Sequence, residues 1–186
     1  CSKAMSYKIH FIIIAFHPEK TAFRELLLQL RPFNVTVIDN GGVGDVGIAK
    51  VDVLQNETNL GYGGGANVGI SAAMEKGAEW IVILNQDVVL REKSVHTFIE
   101  KLGDSRAGIA GPFVGRLDPA RWTTMLGGKK AGKMYISGSV MAIHRDVLER
   151  AGNFYEPYFL YYEEVDLCMR AVRKGFQLTH LPVSGI

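Results

Sequence analysis

The chain has 186 residues, of which 47% are hydrophobic and 22% are charged, and its formal net charge is +2. This length corresponds to one domain with a substantial core, and the composition excludes an intrinsically disordered chain. The small net charge argues against nucleic acid as a partner.

The most apolar run, residues 11–16, is too short to cross a bilayer and lacks the cleavage pattern of a signal peptide. The two cysteines, Cys1 and Cys168, lie at the start of the chain and inside a predicted helix, so we expect no structural disulfide. This pattern fits a reducing compartment and predicts a cytoplasmic protein. Four residues precede Met5, which we expect to be the natural first residue.

In chain order, the first half alternates apolar strands with amphipathic helices. Strands are predicted at Ile9–Ala15, 35–38, 51–54 and 80–84. Helices are predicted after the first, third and fourth of these strands, and they end at Pro32, at Lys76-Gly77 and at Gly103. Pro18 is predicted in the first turn of the first helix. A strand, a helix and a strand in this order predict a right-handed parallel crossover.

The second half is more mixed. It contains predicted strands at 108–114, 134–143 (interrupted at 137–139) and 177–181. Helices are predicted at Arg145–Ala151 and in the second half of 153–170. The buried face of the second of these helices is predicted to carry Val165, Cys168, Met169 and Val172. Residues 117–133 are the least regular part, and we expect them to be mobile. The whole pattern predicts one α/β domain with a largely parallel sheet.

Polar residues follow the apolar strands at His17, at Asp39, at 59–67 and at 85–87. Ligands of open α/β sheets bind outside the carboxyl ends of the strands, so we expect these residues along one edge. Oxygen ligands at 85–87 would suit Mg²⁺ or Mn²⁺ held between carboxylates and a diphosphate. Ordinary turn chemistry is the alternative for any one of these sites taken alone.

Residues 61–66 are predicted to form a glycine-rich loop before a helix, and they match a dinucleotide-binding glycine fingerprint by letter. Polar residues 55–59 separate it from the preceding strand, and no acidic strand end follows in the expected role. A dinucleotide-dependent oxidoreductase is therefore a minor alternative. The glycines would still allow a backbone to approach a ligand closely.

The segment 153–170 places a run of aromatic rings before Glu163 and Glu164. Like charges and apolar surroundings both oppose ionisation, so carboxylate clusters of this kind are typical of sites that bind cations or move protons. The structural alternative is a helix-surface ion pair between Asp166 and Arg170, with the glutamates favoured at the amino end of a helix. These residues alone leave the two interpretations even.

The five histidines are scattered and show no zinc-ligand spacing. We expect His10 and His144, which lie in strand-like runs, to be structural. His180 is a candidate for a metal or phosphate contact.

Five blocks, in this order and spacing, resemble glycosyltransferase family 2 with its GT-A (Rossmann-like) fold, and within it the rhamnosyltransferase-like branch. They are Ile14-Ala-Phe-His-Pro, Val37-Ile-Asp-Asn-Gly, Asn59-Leu-Gly-Tyr-Gly-Gly-Gly-Ala-Asn-Val-Gly, Ile83-Leu-Asn-Gln-Asp and the segment 152–170. The resemblance implies a single domain over residues 1–186, with a nucleotide-sugar-binding half at 5–110 and an acceptor and catalytic half at 111–186.

The resemblance also implies roles for individual residues. Those that would border the nucleotide are Ala15, Phe16, His17, Asp39 (facing the base), Asn59, Gly61 and Asn67. Those that would contact the rest of the donor or the acceptor are Gln86, Ser137, Gly138, Glu163 and Asp166. Glu164 stands at the second acid of the family's Glu-Asp pair, which is the catalytic base.

The family's metal-binding D-x-D motif falls on Asn85-Gln86-Asp87. Asp87 is the metal ligand that the resemblance favours, and Asn85, which replaces the first acid, is the second. Relatives often add a metal-binding histidine shortly after the last strand, beyond Ile186. The catalytic base also departs from the family pattern, since Glu164 stands where aspartate is usual.

The implied reaction is an inverting transfer from a UDP- or dTDP-type sugar to a hydroxyl of a glycan or lipid-linked acceptor, in the synthesis of polysaccharide or cell-surface glycan. Rhamnose is the sugar that the branch suggests. Basic residues between Arg116 and Lys133 indicate either a solvated loop or a peripheral contact with an anionic acceptor or the inner face of a membrane. A nucleotide-sugar-binding module without catalysis is the alternative function, and nothing in the sequence indicates the oligomeric state.

Overall fold

The computed structural model of the chain describes residues 8–103, 105–126 and 132–186. Its strands are β1 (Ile9–Ala15), β2 (Asn34–Asp39), β3 (Val51–Gln55), β4 (Trp80–Asn85), β5 (Ile109–Gly111), β6 (Val114–Asp118), β7 (Thr123–Leu126), β8 (Lys133–Ile136), β9 (Val140–His144) and β10 (Leu178–His180). Its helices are α1 (Lys20–Gln29), α2 (Gly61–Glu75), α3 (Glu92–Gly103), α4 (Arg145–Ala151) and α5 (Glu163–Arg173).

A seven-stranded sheet forms the centre of the molecule, in the order β10-β5-β9-β4-β1-β2-β3. The pairs β1–β2, β1–β4, β2–β3 and β5–β10 are parallel, and only β9 runs against its neighbours β4 and β5. The carboxyl ends of the parallel strands therefore meet at one edge, together with the beginning of β9. The predicted α/β fold with a mostly parallel sheet is confirmed.

Both faces of this sheet are covered, as the continuous apolar run of β1 requires. Alternate β1 residues point to opposite faces: Phe11 and Ile13 pack in one core with α1 and α3, whereas Ile12 and Ile14 pack in the other with α2, α4 and α5. The isoleucines of β1 are thus buried from both sides.

A second sheet of three antiparallel strands, β7-β6-β8, corrects three predictions for the second half. The strand predicted at 108–114 is two strands in different sheets, because Pro112 lacks a backbone N–H and the chain leaves the large sheet there. The strand predicted at 134–143 also changes sheet, through Ser137-Gly138-Ser139. The segment 117–133, predicted to be irregular, contains strand β7 and the ends of β6 and β8, with a turn at 119–122, whereas 127–131 lie outside the described residues.

Three local predictions are also wrong. Pro18 lies outside α1, because Glu19 caps this helix and its carboxylate accepts hydrogen bonds from the N–H groups of Thr21 and Ala22. The glycine segment at 61–66 is the first part of α2 rather than a loop. Val172 is 48% exposed, since the buried face of α5 is centred on Leu167, Cys168 and Ala171.

The helix α2 approaches β1 closely at Gly69. A Cβ atom on Gly69 would lie 2.5 Å from the Cγ2 atom of Ile12, a β-branched side chain in the middle of the sheet. The sequence therefore needs glycine here for packing, although glycine is a poor helix former.

We expect Gly69→Ala to lower the free energy of unfolding by about 1–2 kcal/mol, because overpacking outweighs the gain in helix propensity. Urea denaturation measures the change, and Ser71→Ala, at an exposed position of the same helix, is the matched control. A Gly69→Ala protein as stable as the wild type would contradict the close approach.

Candidate active site

Hydrogen bonds join the loops at the carboxyl edge of the sheet. The side-chain amide of Gln86, after β4, accepts from the N–H of Phe16 at 2.7 Å and donates to the carbonyl oxygen of Phe16 at 3.1 Å. His17 has a left-handed backbone with φ 46°, and its N–H donates to the carbonyl of Gly41 at 2.7 Å. The structure thus brings together the predicted residues after β1, β2 and β4.

Asp39, at the end of β2, is buried, and its carboxylate accepts hydrogen bonds from the N–H groups of Gly41, Val43 and Gly44. These contacts shape the loop after β2. The contact with the nucleotide base that was assigned to Asp39 stays a prediction. In this structure, its carboxylate anchors the loop after β2.

Asn40 connects this loop to α2, a role that no sequence motif indicated. Its amide donates to the carbonyl of Gly61 at 2.9 Å, and its carbonyl oxygen accepts from the amide of Asn56 at 2.8 Å. The available signal was its position directly after Asp39 and before Gly41, where asparagine is typical of a turn.

The start of α2 lies against the backbone of the aromatic segment 154–162. The side chain of Asn59 accepts a hydrogen bond from the N–H of Gly61 at 2.8 Å, and the N–H of Tyr62 donates to the carbonyl of Phe159 at 2.9 Å. Gly61 has φ +72°, and a Cβ atom there would lie 2.1 Å from the same carbonyl oxygen. Gly61 therefore permits a close approach of this chain's own backbone.

Asn67, one and a half turns further along α2, holds the beginning of the same segment. It accepts from the N–H of Phe154 at 3.0 Å and donates to the carbonyl of Phe154 at 2.9 Å and to the carboxylate of Glu156 at 3.0 Å. In this structure, both the oxygen and the nitrogen of the Asn67 amide form hydrogen bonds inside the protein. The nucleotide contact assigned to Asn67 stays a prediction.

The structural interpretation of Asp166 and Arg170 is confirmed. Their ion pair measures 2.7 Å, and Arg170 also donates to the carbonyls of Ala151, Gly152 and Asn153. Arg170 therefore fastens the end of α4 to α5. The substrate contact assigned to Asp166 stays a prediction.

Glu163 and Glu164 form the first turn of α5. Glu163 is buried, with 4% of its surface exposed, and Glu164 is half-buried. Each carboxyl group has a buried Oε2 atom without a hydrogen-bond partner. Burial raises the pKa of Glu163 to about 7 and raises the pKa of Glu164, although the N–H groups of Glu164 and Val165 favour the ionised form of Glu164.

Tyr62 and Tyr135 face these glutamates, although no sequence motif indicated either tyrosine. Tyr62 of α2 donates its hydroxyl hydrogen to the carbonyl of Gly138, and burial together with the charges of Glu163 and Glu164 raises its pKa. Burial likewise raises the pKa of Tyr135 in β8, with a smaller contribution from Glu164. The start of α2, the start of α5 and the turn before β9 therefore meet around the glutamates.

The turn at 137–139 connects this group to the end of β4. The hydroxyl oxygens of Ser137 and Ser139 lie 3.0 Å apart, and the N–H of Asn85 donates to the carbonyl of Ser139 at 3.1 Å. The predicted residues Ser137, Gly138 and Asn85 thus lie beside one another. The hydrogen bond from Tyr62 to Gly138 connects them to the tyrosine that faces Glu164.

Asp87 lies further along the edge. It is exposed and lines a cavity of about 280 Å³ with α1 residues and with residues 88–90. No three His, Cys, Asp or Glu side chains come together as a metal site in the described parts of the chain. His180 does not add a clear metal ligand to this edge, because its Nε2 atom lies 3.0 Å from the carbonyl oxygen of Pro112.

An exposed apolar surface adjoins α5. Its members are Tyr155, Tyr158, Phe159, Leu160, Tyr161 and, from the turn between β6 and β7, Trp122, with exposures between 38% and 71%. Tyr161 and Tyr162 both have φ 72°, a strained conformation for tyrosine, and the hydroxyl of Tyr162 donates to the carbonyl of Trp122 at 2.7 Å. No described helix is long and apolar enough to cross a membrane.

Comparisons with known proteins agree with this architecture. The model of the family described as "Glycosyl transferase family 2" matches residues 12–133. The dTDP-rhamnosyl transferase RfbF of Shigella flexneri is 25% identical over 96% of this chain and 68% of that protein. The N-acetylglucosaminyl-diphospho-decaprenol L-rhamnosyltransferase of Mycobacterium tuberculosis is 25% identical over 91% of this chain and 71% of that protein. The predicted resemblance to the family and to its rhamnosyltransferase-like branch is confirmed.

Solved structures show similarity of fold alone. A CMP:2-keto-3-deoxy-manno-octonic acid synthetase complexed with CTP has a TM-score of 0.54 and 17% identity, over 95% of this chain and 90% of that one. A mannose-1-phosphate geranyltransferase from Thermus thermophilus has a TM-score of 0.54 and 14% identity, over 91% of this chain and 68% of that one.

We expect Arg170→Met to lower the free energy of unfolding by about 2 kcal/mol, because it removes charge-assisted hydrogen bonds to Asp166 and to the backbone at 151–153. Urea denaturation measures the change, with Arg173→Met, at an exposed position of the same helix, as the control. Equal stabilities of the two variants would contradict the bracing role.

Proposed function

This chain belongs to glycosyltransferase family 2, and on that premise we propose that it transfers a sugar, with inversion, from a nucleoside diphosphate to an acceptor hydroxyl. Glu164 is the general base. The observation that carries the proposal is the unpaired, buried Oε2 atom of Glu164 at the amino end of α5. Burial raises the pKa of the Glu164 carboxyl group, which makes its ionised form a better proton acceptor.

The helix geometry favours this assignment. The amino end of α5 carries partial positive charge, which stabilises an ionised side chain in the first turn. The N–H groups of Glu164 and Val165 add to that effect. Glu164 can therefore be ionised before the reaction and neutral after it, as a base must be.

The donor side of the proposal is the edge between β1, β2 and β4. Residues 5–110 form the nucleotide-sugar-binding half, with Phe16, His17 and Asp39 beside the base and ribose. The names of the relatives support a dTDP-sugar, and rhamnose in particular, as the donor to test first, with UDP-sugars as the second class.

Mg²⁺ or Mn²⁺ is the proposed cofactor. The exposed carboxylate of Asp87 and the amide oxygen of Asn85 are two oxygen donors after one strand, which fits a cation that completes its coordination with diphosphate oxygens and water. When bound, the cation would neutralise negative charge that develops on the departing diphosphate. Asp87 would hold it, and Gln86 keeps the adjoining loop in place through Phe16.

The acceptor side of the proposal is the half at 111–186. The exposed rings of Tyr158, Phe159 and Tyr161 offer a stacking surface for a sugar. Ser137 and Gly138 adjoin the proposed general base, Glu164. Arg121 and Lys133 are exposed beside Trp122, which suits an anionic or lipid-linked acceptor at the inner face of a membrane. A cytoplasmic location and a role in polysaccharide or cell-surface glycan synthesis complete the proposal.

We expect Glu164→Gln to lower kcat for sugar transfer by about 10²–10⁴, because the amide cannot accept the proton. Transfer is measured with dTDP-rhamnose and UDP-sugars against glycan and prenyl-diphosphate-linked acceptors. Donor binding, measured by calorimetry with dTDP and UDP, should stay within about threefold of the wild type.

Two results would overturn this assignment. Transfer that survives Glu164→Gln would remove Glu164 as the base. Wild-type protein that binds the donor but transfers no sugar to any acceptor would instead favour a nucleotide-sugar-binding module without catalysis.

We expect Asp87→Ala to abolish the strengthening of dTDP or UDP binding by Mn²⁺, because it removes the only carboxylate at the 85–87 turn. Calorimetry with and without Mn²⁺ measures the effect. Asp45→Ala, in the exposed loop after β2, is the control and should keep the Mn²⁺ dependence. Metal-independent binding by the wild type would exclude the cofactor from the donor complex.

A further inference from the structure

The turn between β8 and β9, at 137–139, is held by hydrogen bonds from two other elements. The hydroxyl of Tyr62, in the first turn of α2, donates to the carbonyl of Gly138. The N–H of Asn85, at the end of β4, donates to the carbonyl of the next residue, Ser139, at 3.1 Å. Two successive carbonyl groups of the turn are therefore bound from opposite halves of the site, one by a helix and one by a strand.

The same turn adjoins the helix of the proposed general base. Just before the turn, the N–H of Ile136 donates to the sulfur atom of Cys168 in α5 at 3.4 Å. Cys168 lies one helical turn after Glu164 and on the same face, since residues four apart are neighbours on a helix surface. On the α2 side, a Cβ atom on Gly63 would lie 3.6 Å from the Cβ atom of Glu163. The start of α2, the start of α5 and the turn are therefore in contact with one another.

Tyr62 donates its hydrogen bond from a fixed ring. Its N–H donates to the carbonyl of Phe159 at 2.9 Å, and its ring lies edge-on to that of Phe154, with centroids 6.2 Å apart. Gly138 admits the hydroxyl closely, because a Cβ atom there would lie 3.1 Å from the hydroxyl oxygen. Burial raises the pKa of the phenol, and the charges of the two nearby glutamates add to that effect, so the hydroxyl keeps the hydrogen that it donates.

We propose that Tyr62 is a positioning residue, whose hydroxyl holds this turn in one place relative to Glu164 and to the donor-side turn at 85–87. This inference rests on the proposed function. A displacement of about 1 Å can lower the rate of a reaction by about 10²-fold, so a turn in contact with both sides of the proposed site is a sensitive point. The hydroxyl is the part of Tyr62 that can be removed while the contacts of the ring remain.

The kinetic test uses Tyr62→Phe, which removes the hydroxyl and keeps the ring. We expect kcat for sugar transfer to fall by about 10–100-fold, while the Kd for dTDP with Mn²⁺ stays within about threefold of the wild type, because the donor edge keeps its own hydrogen bonds. Tyr62→4-aminophenylalanine retains a donor at nearly the same place and should restore kcat to within about threefold. Ser71→Ala is the matched control, since it removes a hydroxyl that donates to a backbone carbonyl at an exposed position of the same helix. It should leave kcat unchanged.

Amide hydrogen exchange tests the same role without substrate. In Tyr62→Phe, the N–H groups of Asn85 and Ser137 should exchange at least about tenfold faster than in the wild type, because the turn that they attach is no longer held by α2. Amides in the middle of β4, such as that of Val82, should keep their wild-type rates.

Gly138→Ala approaches the same contact from the turn. Its Cβ atom would press on the hydroxyl oxygen of Tyr62, so this variant should raise the same two exchange rates. Adding it to Tyr62→Phe should cause no further increase, because the atom that it presses on is then absent. If Tyr62→Phe does not fold, the exchange rates of Gly138→Ala alone decide the role.

Wild-type exchange at Asn85 and Ser137 in Tyr62→Phe, or an equal increase throughout β4, would overturn the positioning role. So would a kcat equal to that of the wild type, or a loss of kcat that Tyr62→4-aminophenylalanine does not restore. A wild-type protein that transfers no sugar would overturn the proposed function instead, and the exchange rates would still show whether Tyr62 holds the turn.

Discussion

The attachment of residues 154–162 to α2 is the interaction on which the candidate site depends. Asn67 holds both backbone groups of Phe154, and Gly61 lets the carbonyl of Phe159 reach the N–H of Tyr62. Between these two points the chain has no regular secondary structure, so its path is set by α2. Because the segment leads directly into α5, the position of Glu164 follows from contacts made on the other helix.

Strain accumulates where this attachment ends. Tyr161 and Tyr162 are consecutive non-glycine residues in the left-handed region, where each costs about 1–2 kcal/mol. The hydrogen bond from Tyr162 to Trp122 holds the strained turn itself, and the ion pair of Asp166 with Arg170 stabilises the helix that follows it. A strained conformation persists only where surrounding contacts of this kind support it. The turn leads directly into α5, whose first residue, Glu163, is buried.

Periodicity was sufficient to predict strands β1 to β4 of the central sheet, because buried strands and helices follow one another distinctly from Ile9 to Gly103, with a loop in place of a helix between β2 and β3. It failed at 108–114, where a strand-like pattern continues across Pro112, and at 134–143, where the interruption at 137–139 did not indicate that the two parts belong to different sheets. A change of partner leaves no mark in a pattern of apolar residues. The small sheet was missed for the same reason.

The sequence likewise indicated which residues meet at the carboxyl edge but not which of them serve the protein itself. Asn67 and Gly61 belong to a motif that suggests a ligand, and their contacts are with residues 154–159, almost a hundred positions later. Tyr62 and Asn40 drew no attention, because single polar residues beside glycines are common. Only the tertiary structure joins Tyr62 to Gly138 and to the glutamates.

The two sides of the candidate site are built differently. Around Glu164 the described residues are buried or half-buried and are held by two helices and a strand, so the proposed general base has a fixed position in the absence of substrate. Around Asp87 the chain is exposed and is fixed mainly through Gln86 and Asn85. In the proposed donor complex, a nucleoside diphosphate and its cation would supply further oxygen atoms on that side, where Asn85 stands at the position of the first acid of the family's D-x-D motif. If the proposal holds, binding of the donor would complete the site around a general base that is already in place.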